Sequence, residues 1–325
     1  MFDENYYMTG KRSEWPTVYN IETTNACNMK CIMCPRTTKM TRPIETMSVE
    51  LFGKIVDQLK PHPKEKWKEW ELFCREKYDI WPNEMSENHF FLYVIPRVIQ
   101  LHGYGDPLLD PNMGTFVKML TERGLKSYFS CNPANIKMVK VLRMFEAGLT
   151  YIKFSMESVS DDKHKEIRGK ASNFTKSYEK IVKLLKAKEV FNLKTTIVIT
   201  MLDLDKKNQV EEFVKLRDLF KDKDVYIYLK SQDTQWYTGA DFKTNSIHWS
   251  EPCKHPWMSM TIKSNGEAAM CMEDYNNEII LGDAKTQSLK EIWNGEVYEK
   301  FRVAHLDNIK GIRCTDYCEM GVVGC

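Results

Sequence analysis

Short apolar runs alternate with helical patterns through the first two thirds of this chain. Six runs rich in β-branched and aromatic residues are typical of buried strands. They cover residues 18–24, 98–102, 126–130, 151–156, 194–200 and 225–229. Strands that alternate with helices in this way predict an α/β fold with a parallel sheet and right-handed crossovers.

Between these runs, apolar residues recur at the spacing of one helix face. The stripes consist of Phe52, Ile55, Val56 and Leu59; of Phe174, Tyr178, Ile181 and Leu185; and, more weakly, of Val210, Phe213, Val214 and Arg217. Ser48 and Asn173 precede the first two stripes, and both residue types commonly cap helix N-termini. We therefore expect helices that begin directly after these two residues.

The segment 61–96 interrupts the alternation, because a few residues normally suffice to join a helix to the next strand. It is rich in aromatic residues and alternating charges. We expect a helix over residues 64–78 and irregular chain after it. The segment is either a substrate-recognition lid, as aromatic-rich insertions can be, or a packing element without a catalytic part. Cys74 within it is expected to be a buried apolar side chain.

The composition is that of an ordinary globular protein. The 325 residues suffice for a lead (1–16), a large domain (17–235) and a smaller one (236–325). Lysine plus arginine (47) nearly balances aspartate plus glutamate (45), so no bias toward nucleic acid is visible. We find neither a signal-peptide pattern nor an apolar run long enough for a membrane. Ten cysteines in such a chain predict metal ligation in a cytoplasmic protein.

Cys27, Cys31 and Cys34 follow the first predicted strand with the spacing C-x3-C-x2-C. Three thiolates on one short loop can ligate three irons of a [4Fe–4S] cluster and leave the fourth iron open for chemistry. Zinc is the alternative, but it prefers four ligands and no fourth is obvious nearby. A disulfide between two of these cysteines would leave the third thiol unpaired.

This loop resembles the signature of the radical S-adenosylmethionine (SAM) family. The resemblance implies a partial (β/α)6 barrel with its chemistry at the C-terminal ends of the strands. It also implies that the cluster binds SAM and cleaves it reductively to a 5′-deoxyadenosyl radical, which removes a hydrogen atom from the substrate. An external one-electron donor such as flavodoxin or ferredoxin is then required.

The turn after the second predicted strand is similar to the family's Gly-Glu-Pro loop, which holds the SAM amino group. It contains Gly103, Gly105, Asp106 and Pro107. Glycines let the backbone approach a ligand closely. Asp106 stands where the family has glutamate, and its shorter arm puts the side-chain contact in doubt while the backbone contacts remain possible.

Other cofactor contacts are expected from the fourth and fifth strands. Ser155 and Glu157 share one face of the fourth strand, which in the family meets the ribose and methionyl groups of SAM. Arg168 precedes a glycine, as in the family's Ile-Arg-Gly segment, and its guanidinium can donate two parallel hydrogen bonds to the SAM carboxylate. The alternative is a surface arginine at a helix end. Position alone puts the fifth strand, with Ile199, beside the adenine.

Cys131 falls just after the third predicted strand, near the same end of the sheet. A thiol there can donate a hydrogen atom to a substrate radical, which would make the enzyme an epimerase. The alternative is an inert buried cysteine.

A second group comprises Cys253, Cys271, Cys314, Cys318 and Cys325. Residues 257–263 and 267–272 predict a β-hairpin, and Ser288 predicts the N-cap of a following helix. This pattern resembles the SPASM/twitch extension, which binds auxiliary [4Fe–4S] clusters, although the last three cysteines are spaced more loosely. We expect one auxiliary cluster held by Cys253, Cys271 and one or two of the last three cysteines. Zinc is the alternative.

We therefore expect a radical SAM enzyme that dehydrogenates or epimerises a small polar molecule of the sugar, aminocyclitol or nucleotide-sugar type. Many peptide-modifying relatives carry a recognition domain ahead of the cysteine loop, and only 26 residues precede Cys27 here. A maturase of a ribosomal peptide, with the aromatic insert as clamp, is the alternative. A non-catalytic iron–sulfur electron carrier is the alternative from another class. Neither nucleic acid nor a membrane is expected as a partner.

Overall fold

One sheet, which the described residues build from nine strands, forms the centre of the molecule. The computed structural model describes residues 9–10, 12–82, 85–204, 209–230, 253–307, 311 and 313–318. The strands are β1 (Val18–Ile21), β2 (Ile99–Gln100), β3 (Ser127–Cys131), β4 (Tyr151–Ser155), β5 (Thr196–Leu202), β6 (Val225–Lys230), β7 (Ser259–Ile262), β8 (Glu267–Ala269) and β9 (Ile280–Asp283). Their spatial order is β6-β5-β4-β3-β2-β1-β7-β8-β9, and β1 to β6 are parallel. The predicted parallel α/β fold is confirmed.

Helices connect the parallel strands and follow the hairpin. The α-helices are α1 (Pro35–Thr38), α2 (Val49–Val56), α3 (Lys64–Tyr78), α4 (Glu87–His89), α5 (Met113–Glu122), α6 (Met138–Glu146), α7 (Asp161–Arg168), α8 (Phe174–Val190), α9 (Gln209–Leu219), α10 (His255–Met258), α11 (Leu289–Asn294), α12 (Glu296–Leu306) and α13 (Arg313–Tyr317). Over the residues that the structure describes, we find no helix with the length and hydropathy of a membrane span.

Helix starts agree with the predicted caps. The Ser48 hydroxyl accepts a hydrogen bond from the Leu51 N–H at 3.1 Å, and the Asn173 side chain accepts one from the Lys176 N–H at 2.9 Å. The weaker apolar stripe predicted for α9 does not match its buried side, because Val210 and Val214 of that stripe are 49% and 38% exposed. The buried residues of α9 are Leu216, which packs in the main core, and Gln209, which donates to the Glu157 carbonyl at 2.8 Å.

The six parallel strands curve into a partial barrel. Alternate side chains, among them Phe129 and Phe154, pack with the helices in the main core. On the other face, Val18 of β1 and Tyr228 of β6 belong to one apolar cluster. In a flat sheet these two strands would lie about 24 Å apart at the usual strand spacing. The sheet therefore bends, and β1 to β6 enclose a lumen on the side away from the helices.

The insert closes one end of this lumen. Residues 79–96 were predicted to be irregular, which is wrong from residue 87 onward: α4 continues into a π-helix (Phe90–Val94) and a 3-10 turn (Ile95–Arg97). Phe90 is fully buried, and its ring centroid lies 5.3 Å from that of Tyr128 and 6.3 Å from that of Tyr151. These tyrosines lie near the N-terminal ends of β3 and β4, so Phe90 fills the end of the lumen opposite the cysteine loop.

The first part of the insert agrees with its prediction. α3 covers the expected residues, and Cys74 within it is buried in an apolar cluster with Ile80 and Tyr93. The aromatic insert is therefore, in these contacts, a packing element of the barrel.

The predicted C-terminal hairpin is confirmed and extends the barrel's own sheet. β7 pairs in parallel with β1 over four residues, and β7, β8 and β9 are antiparallel. Trp257 was expected in the first hairpin strand but lies in α10, which Pro256 favours at its first turn. β9, α12 and α13 were not predicted. The expected domain boundary near residue 236 lies outside the described residues.

We expect Phe90→Ala to lower the free energy of unfolding by about 3–5 kcal/mol, because it removes a fully buried ring from the lumen. The neighbouring Phe91 is 38% exposed, so Phe91→Ala is the matched control, with an expected loss below about 1 kcal/mol. Urea denaturation of the two variants measures both values. Equal losses would contradict the placement of Phe90 as the plug of the lumen.

Candidate active site

The three thiols of the cysteine loop lie close together at the C-terminal end of β1. Cys31 is buried, and Cys27 and Cys34 are half-buried. Burial, together with the smaller effect of charge on the neighbouring cysteines, raises the pKa of Cys27 and raises that of Cys34 to about 11. A metal lowers the pKa of the thiols it binds, so such a group favours a metal that takes all three as thiolates.

The loop is held by the segment that carries Arg168. The Lys30 N–H donates to the Arg168 carbonyl at 3.1 Å, and the Ile32 N–H donates to the Ile167 carbonyl at 3.0 Å. Gly169 has a φ of 91°, and a Cβ there would lie 3.1 Å from the Lys30 nitrogen. Glycine is therefore required at the point where the two segments touch.

Arg168, Glu157 and Cys31 lie together beside the cysteine loop. The Arg168 guanidinium pairs with the Glu157 carboxylate, and its Nη1 donates to Cys31 Sγ at 3.6 Å. Burial works against the charge of Arg168, but Glu157 and Cys31 outweigh it and raise its pKa. Arg168 is thus a half-buried, permanently charged side chain beside the cysteine loop, rather than an exposed surface arginine. Ser155 lies on the same face of β4 as Glu157.

The glycine loop packs against the end of β1. A Cβ at Gly103 would overlap the Glu22 carboxylate, and one at Gly105 would overlap the Thr24 carbonyl. The Asp106 N–H donates to the Ala26 carbonyl at 2.8 Å, which ties the glycine loop to the cysteine loop. The two glycines are therefore required by close packing against the end of β1, and their contact with SAM stays a prediction.

The Asp106 side chain serves the loops themselves. One oxygen accepts from the Leu108 N–H at 3.0 Å. The other accepts from the Asn132 N–H at 3.1 Å and from Asn135 Nδ2 at 2.7 Å. Burial raises the pKa of Asp106 in spite of these bonds. Pro107 starts the 3-10 turn that Asp106 caps. The acid of Asp106 is thus engaged within the loops, as its shorter arm led us to expect.

Cys131 and Ile199 are not brought to the lumen. Both belong to the main core between the sheet and the helices. The Cys131 thiol donates to the Lys153 carbonyl at 3.6 Å, and burial raises its pKa well above the usual value. These contacts are those of an apolar core cysteine. The lumen face of β5 carries Val198, which packs with Phe90, and Thr200.

Two lumen residues escaped the sequence reasoning, Asn20 and His102. Asn20 Nδ2 donates to the His102 carbonyl at 2.8 Å. Asn20 Oδ1 and His102 Nδ1 are buried and have no hydrogen-bond partner in the described structure. Lys153 lies beside them with its Nζ 5.8 Å from the Tyr128 ring centroid. The signal in the sequence was strand alternation, which places a polar side chain of each strand on the lumen face.

Glu22 was also missed. It is fully buried at the end of β1, and Arg42 Nη2 donates to both of its oxygens at 2.6 Å. Burial opposes its ionisation, but the Lys263 and Arg42 cations outweigh burial and lower the pKa of Glu22. A charged residue directly after an apolar strand was the available signal.

Four thiols of the second group gather in one place. Cys253, Cys271, Cys314 and Cys318 are buried in the same core cluster. Burial raises the pKa of Cys314 well above its usual value, and charge on the other three raises it further. We propose these four as the auxiliary ligand set. Cys325 lies outside the described residues.

The two groups fit cubane clusters better than single ions. No disulfide joins any of the nine cysteines in the described ranges. Over the same ranges, no three His, Cys, Asp or Glu side chains converge closely enough to hold one metal ion. The thiolates of a cubane bind separate irons and so need not converge on one point.

Comparison with known proteins identifies the family. The radical SAM superfamily model matches residues 21–217, more than half of the chain. The chain belongs to the radical SAM superfamily. A second model, the SPASM iron–sulfur cluster-binding domain, matches residues 253–319 and includes the four gathered cysteines. The radical SAM enzyme class and the SPASM extension expected from the sequence are confirmed.

Solved radical SAM structures share the fold. BtrN in complex with AdoMet and 2-DOIA has a TM-score of 0.52 at 16% identity and covers 92% of both chains. Streptococcus suis SuiB bound to S-adenosylmethionine has a TM-score of 0.58 at 11% identity, covering 96% of this chain and 78% of SuiB. Native anSMEcpe with bound AdoMet has a TM-score of 0.57 at 12% identity, covering 93% and 89%.

The cofactors follow from the two domains. A radical SAM domain carries a [4Fe–4S] cluster that binds SAM, and a SPASM domain carries an auxiliary cluster, so both clusters and SAM are cofactors of this protein. The cysteine loop fits the first cluster, because its three thiols lie together beside Arg168. The four gathered thiols fit the second.

We expect two cysteine variants each to lose about four irons per chain, one cluster's content. The first is Cys27→Ala/Cys31→Ala/Cys34→Ala, and the second is Cys314→Ala/Cys318→Ala. Iron and sulfide analysis after anaerobic reconstitution measures the loss. Cys131→Ala is the control and should keep all its iron, because Cys131 lies in the core. Full iron in the Cys314/Cys318 variant would overturn the proposed ligand set.

We also expect Arg168→Lys to weaken SAM binding about tenfold or more, because a lost charge-assisted hydrogen bond costs about 1.5–3 kcal/mol. Arg123→Lys is the matched control, since Arg123 pairs with Asp57 on the surface. Equilibrium dialysis with SAM and reconstituted protein measures both. Equal affinities for the two variants would show that Arg168 only supports the loop.

Proposed function

We propose that this radical SAM enzyme acts on a small polar molecule of the sugar, aminocyclitol or nucleotide-sugar type, at a carbinol carbon. The observation that carries the proposal is the closed and polar floor of the lumen beneath the cysteine loop. Phe90 fills the lumen below this level. The upper part of the lumen, between the Phe90 ring and the cysteine loop, is the space that remains for a substrate.

The polar atoms of the floor favour a substrate rich in hydroxyl or amino groups. Asn20 Oδ1 and His102 Nδ1 are buried without a partner in the described structure, and such atoms cost free energy until a ligand satisfies them. Burial and the nearby Lys153 cation lower the pKa of His102 to about 3, so its ring is neutral at neutral pH. A neutral imidazole and an amide oxygen offer directional hydrogen bonds rather than charge.

Lys153 adds a positive charge at the same level. Its Nζ lies 5.9 Å from the Phe90 ring centroid and 5.8 Å from that of Tyr128, which is cation–π distance. The two rings hold the ammonium beside His102. An amide oxygen, an imidazole and an ammonium on one floor match the mixed donors and acceptors of a polyol or amino polyol.

The chain's own residues would bind the reactants and exclude water. When bound, the cluster and SAM supply the 5′-deoxyadenosyl radical that removes a hydrogen atom from the substrate. The floor residues would hold the substrate hydroxyls, while Arg168 and the glycine-loop backbone would hold SAM above them. Cys131 faces the helices, which favours dehydrogenation over an epimerisation that uses it as hydrogen donor. The first cluster draws its electron from an external donor such as flavodoxin or ferredoxin.

A peptide substrate is the second candidate. Leu72 and Phe91 of the insert are 49% and 38% exposed, and exposed apolar side chains can contact a peptide. Structures of this fold have been determined with both kinds of ligand: BtrN with 2-DOIA, and SuiB with the precursor peptide SuiA. The fold alone is therefore compatible with either substrate class.

We expect small polar compounds, rather than peptides, to stimulate formation of 5′-deoxyadenosine. Anaerobically reconstituted and reduced protein is given SAM with a panel of sugars and aminocyclitols, including 2-DOIA, or with a panel of peptides. The nucleoside is measured by chromatography. Cys31→Ala supplies the background, because its first cluster lacks a ligand. Stimulation by peptides alone would replace the proposed substrate class with the second candidate.

The same assay tests the floor. His102→Ala should reduce the stimulation by the active compound about tenfold, the value of one buried hydrogen bond, and leave substrate-free SAM cleavage unchanged.

A further inference from the structure

A lysine is buried beside the auxiliary cysteines. Lys263 follows β7 directly and is 0% exposed. Its Nζ donates to the Met272 carbonyl at 3.1 Å, and Met272 is the neighbour of Cys271 in the chain. The charge of Lys263 interacts with Cys271 itself. An ammonium is seldom buried without a reason, because its desolvation costs several kcal/mol.

The carboxylates near Lys263 already accept hydrogen bonds from other groups. Glu22 and Asp274 are the carboxylates that act on it. Glu22 already receives two hydrogen bonds from Arg42. Asp274 accepts backbone N–H bonds from Glu278 at 2.8 Å and from Ile279 at 2.9 Å. Lys263 and Arg42 balance Glu22 and Asp274 in charge, and at Cys271 the Lys263 cation opposes the Glu273 carboxylate, which also acts on this thiol.

We propose that Lys263 raises the reduction potential of the auxiliary cluster. The inference rests on the proposed ligand set, not on the proposed substrate. A cubane held by four thiolates is dianionic when oxidised and gains a third negative charge on reduction. A fixed cation in a dry environment favours the more negative state, and net charge is one of the determinants of cluster potential.

A raised reduction potential affects which group accepts the electron that the substrate radical releases. When a substrate radical becomes a carbonyl product, it releases one proton and one electron. A cluster of raised potential is the better acceptor for that electron. Tyr104 lies between the two cysteine groups, since the charges of both Cys34 and Cys271 act on its phenol, and Lys263 Nζ lies 5.8 Å from its ring centroid. The cation therefore stands on the side of the auxiliary cluster that faces the SAM site.

The test is a redox titration followed by electron paramagnetic resonance. It uses protein with Cys27, Cys31 and Cys34 replaced by alanine, so that the auxiliary cluster alone gives the signal. Lys263→Met should lower the ratio of reduced to oxidised cluster about tenfold at the potential where the parent is half reduced, which is about 59 mV for a one-electron couple. Lys285→Met is the matched control, because it removes an exposed cation of the same domain.

A second variant separates charge from loss of packing. Glu22→Gln removes the carboxylate that opposes Lys263, so it should shift the potential upward, whereas a loosened fold would shift both variants in one direction. An unchanged potential in Lys263→Met, or shifts of the same sign in both variants, would overturn the proposal. If Lys263→Met fails to fold, a downward or absent shift in Glu22→Gln overturns it. If the parent protein, with Cys27, Cys31 and Cys34 replaced, gave no cluster signal, the proposed auxiliary ligand set would be wrong instead. The substrate assays test the proposed function independently of both results.

Discussion

The buried carboxylate of Glu22 is the contact on which both halves of the site depend. Besides Arg42, its oxygens accept hydrogen bonds from the Tyr104 N–H at 3.1 Å and from the Ser264 hydroxyl at 3.2 Å. These partners belong to the glycine loop and to the hairpin turn. Because a buried charge that loses a partner is strongly destabilising, Glu22 holds the two segments and the Arg42 loop in one arrangement. It also explains Gly103, whose Cβ would occupy the same space.

The parallel pairing of β1 with β7 gives this contact its rigidity. The cysteine loop follows β1, and Lys263 follows β7, so the register from Val18↔Ser259 to Ile21↔Ile262 brings Glu22 and Lys263 side by side. Cys271 follows the next strand of the same sheet. The separation of the two cysteine groups is therefore set by sheet geometry rather than by a flexible linker.

Local patterns predicted the elements of this fold, whereas long-range geometry remained out of reach. Ser48 and Asn173 mark helix starts because an N-cap acts within three residues, and C-x3-C-x2-C marks a cluster loop because all three ligands share one loop. Phe90 gave no such signal, since its π-helix depends on the lumen it fills. The pairing of Glu22 with Lys263 depends on β1 and β7 becoming neighbours, which no local pattern encodes. Cys131 and Ile199 lie at the expected end of the sheet but on the opposite face, because curvature decides which face becomes the lumen.

The arrangement favours net oxidation of the substrate over epimerisation. An epimerase must return a hydrogen atom to the substrate carbon, and Cys131, the thiol expected to do so, is bonded to the Lys153 carbonyl within the core. A dehydrogenase needs an electron acceptor instead. Four gathered thiols with a buried ammonium beside them provide the surroundings for one, and Tyr104 fills the space between them and the cysteine loop. In the proposed function, the electron would pass toward the SPASM side of the molecule, and a small polyol on the lumen floor would be the substrate of that oxidation.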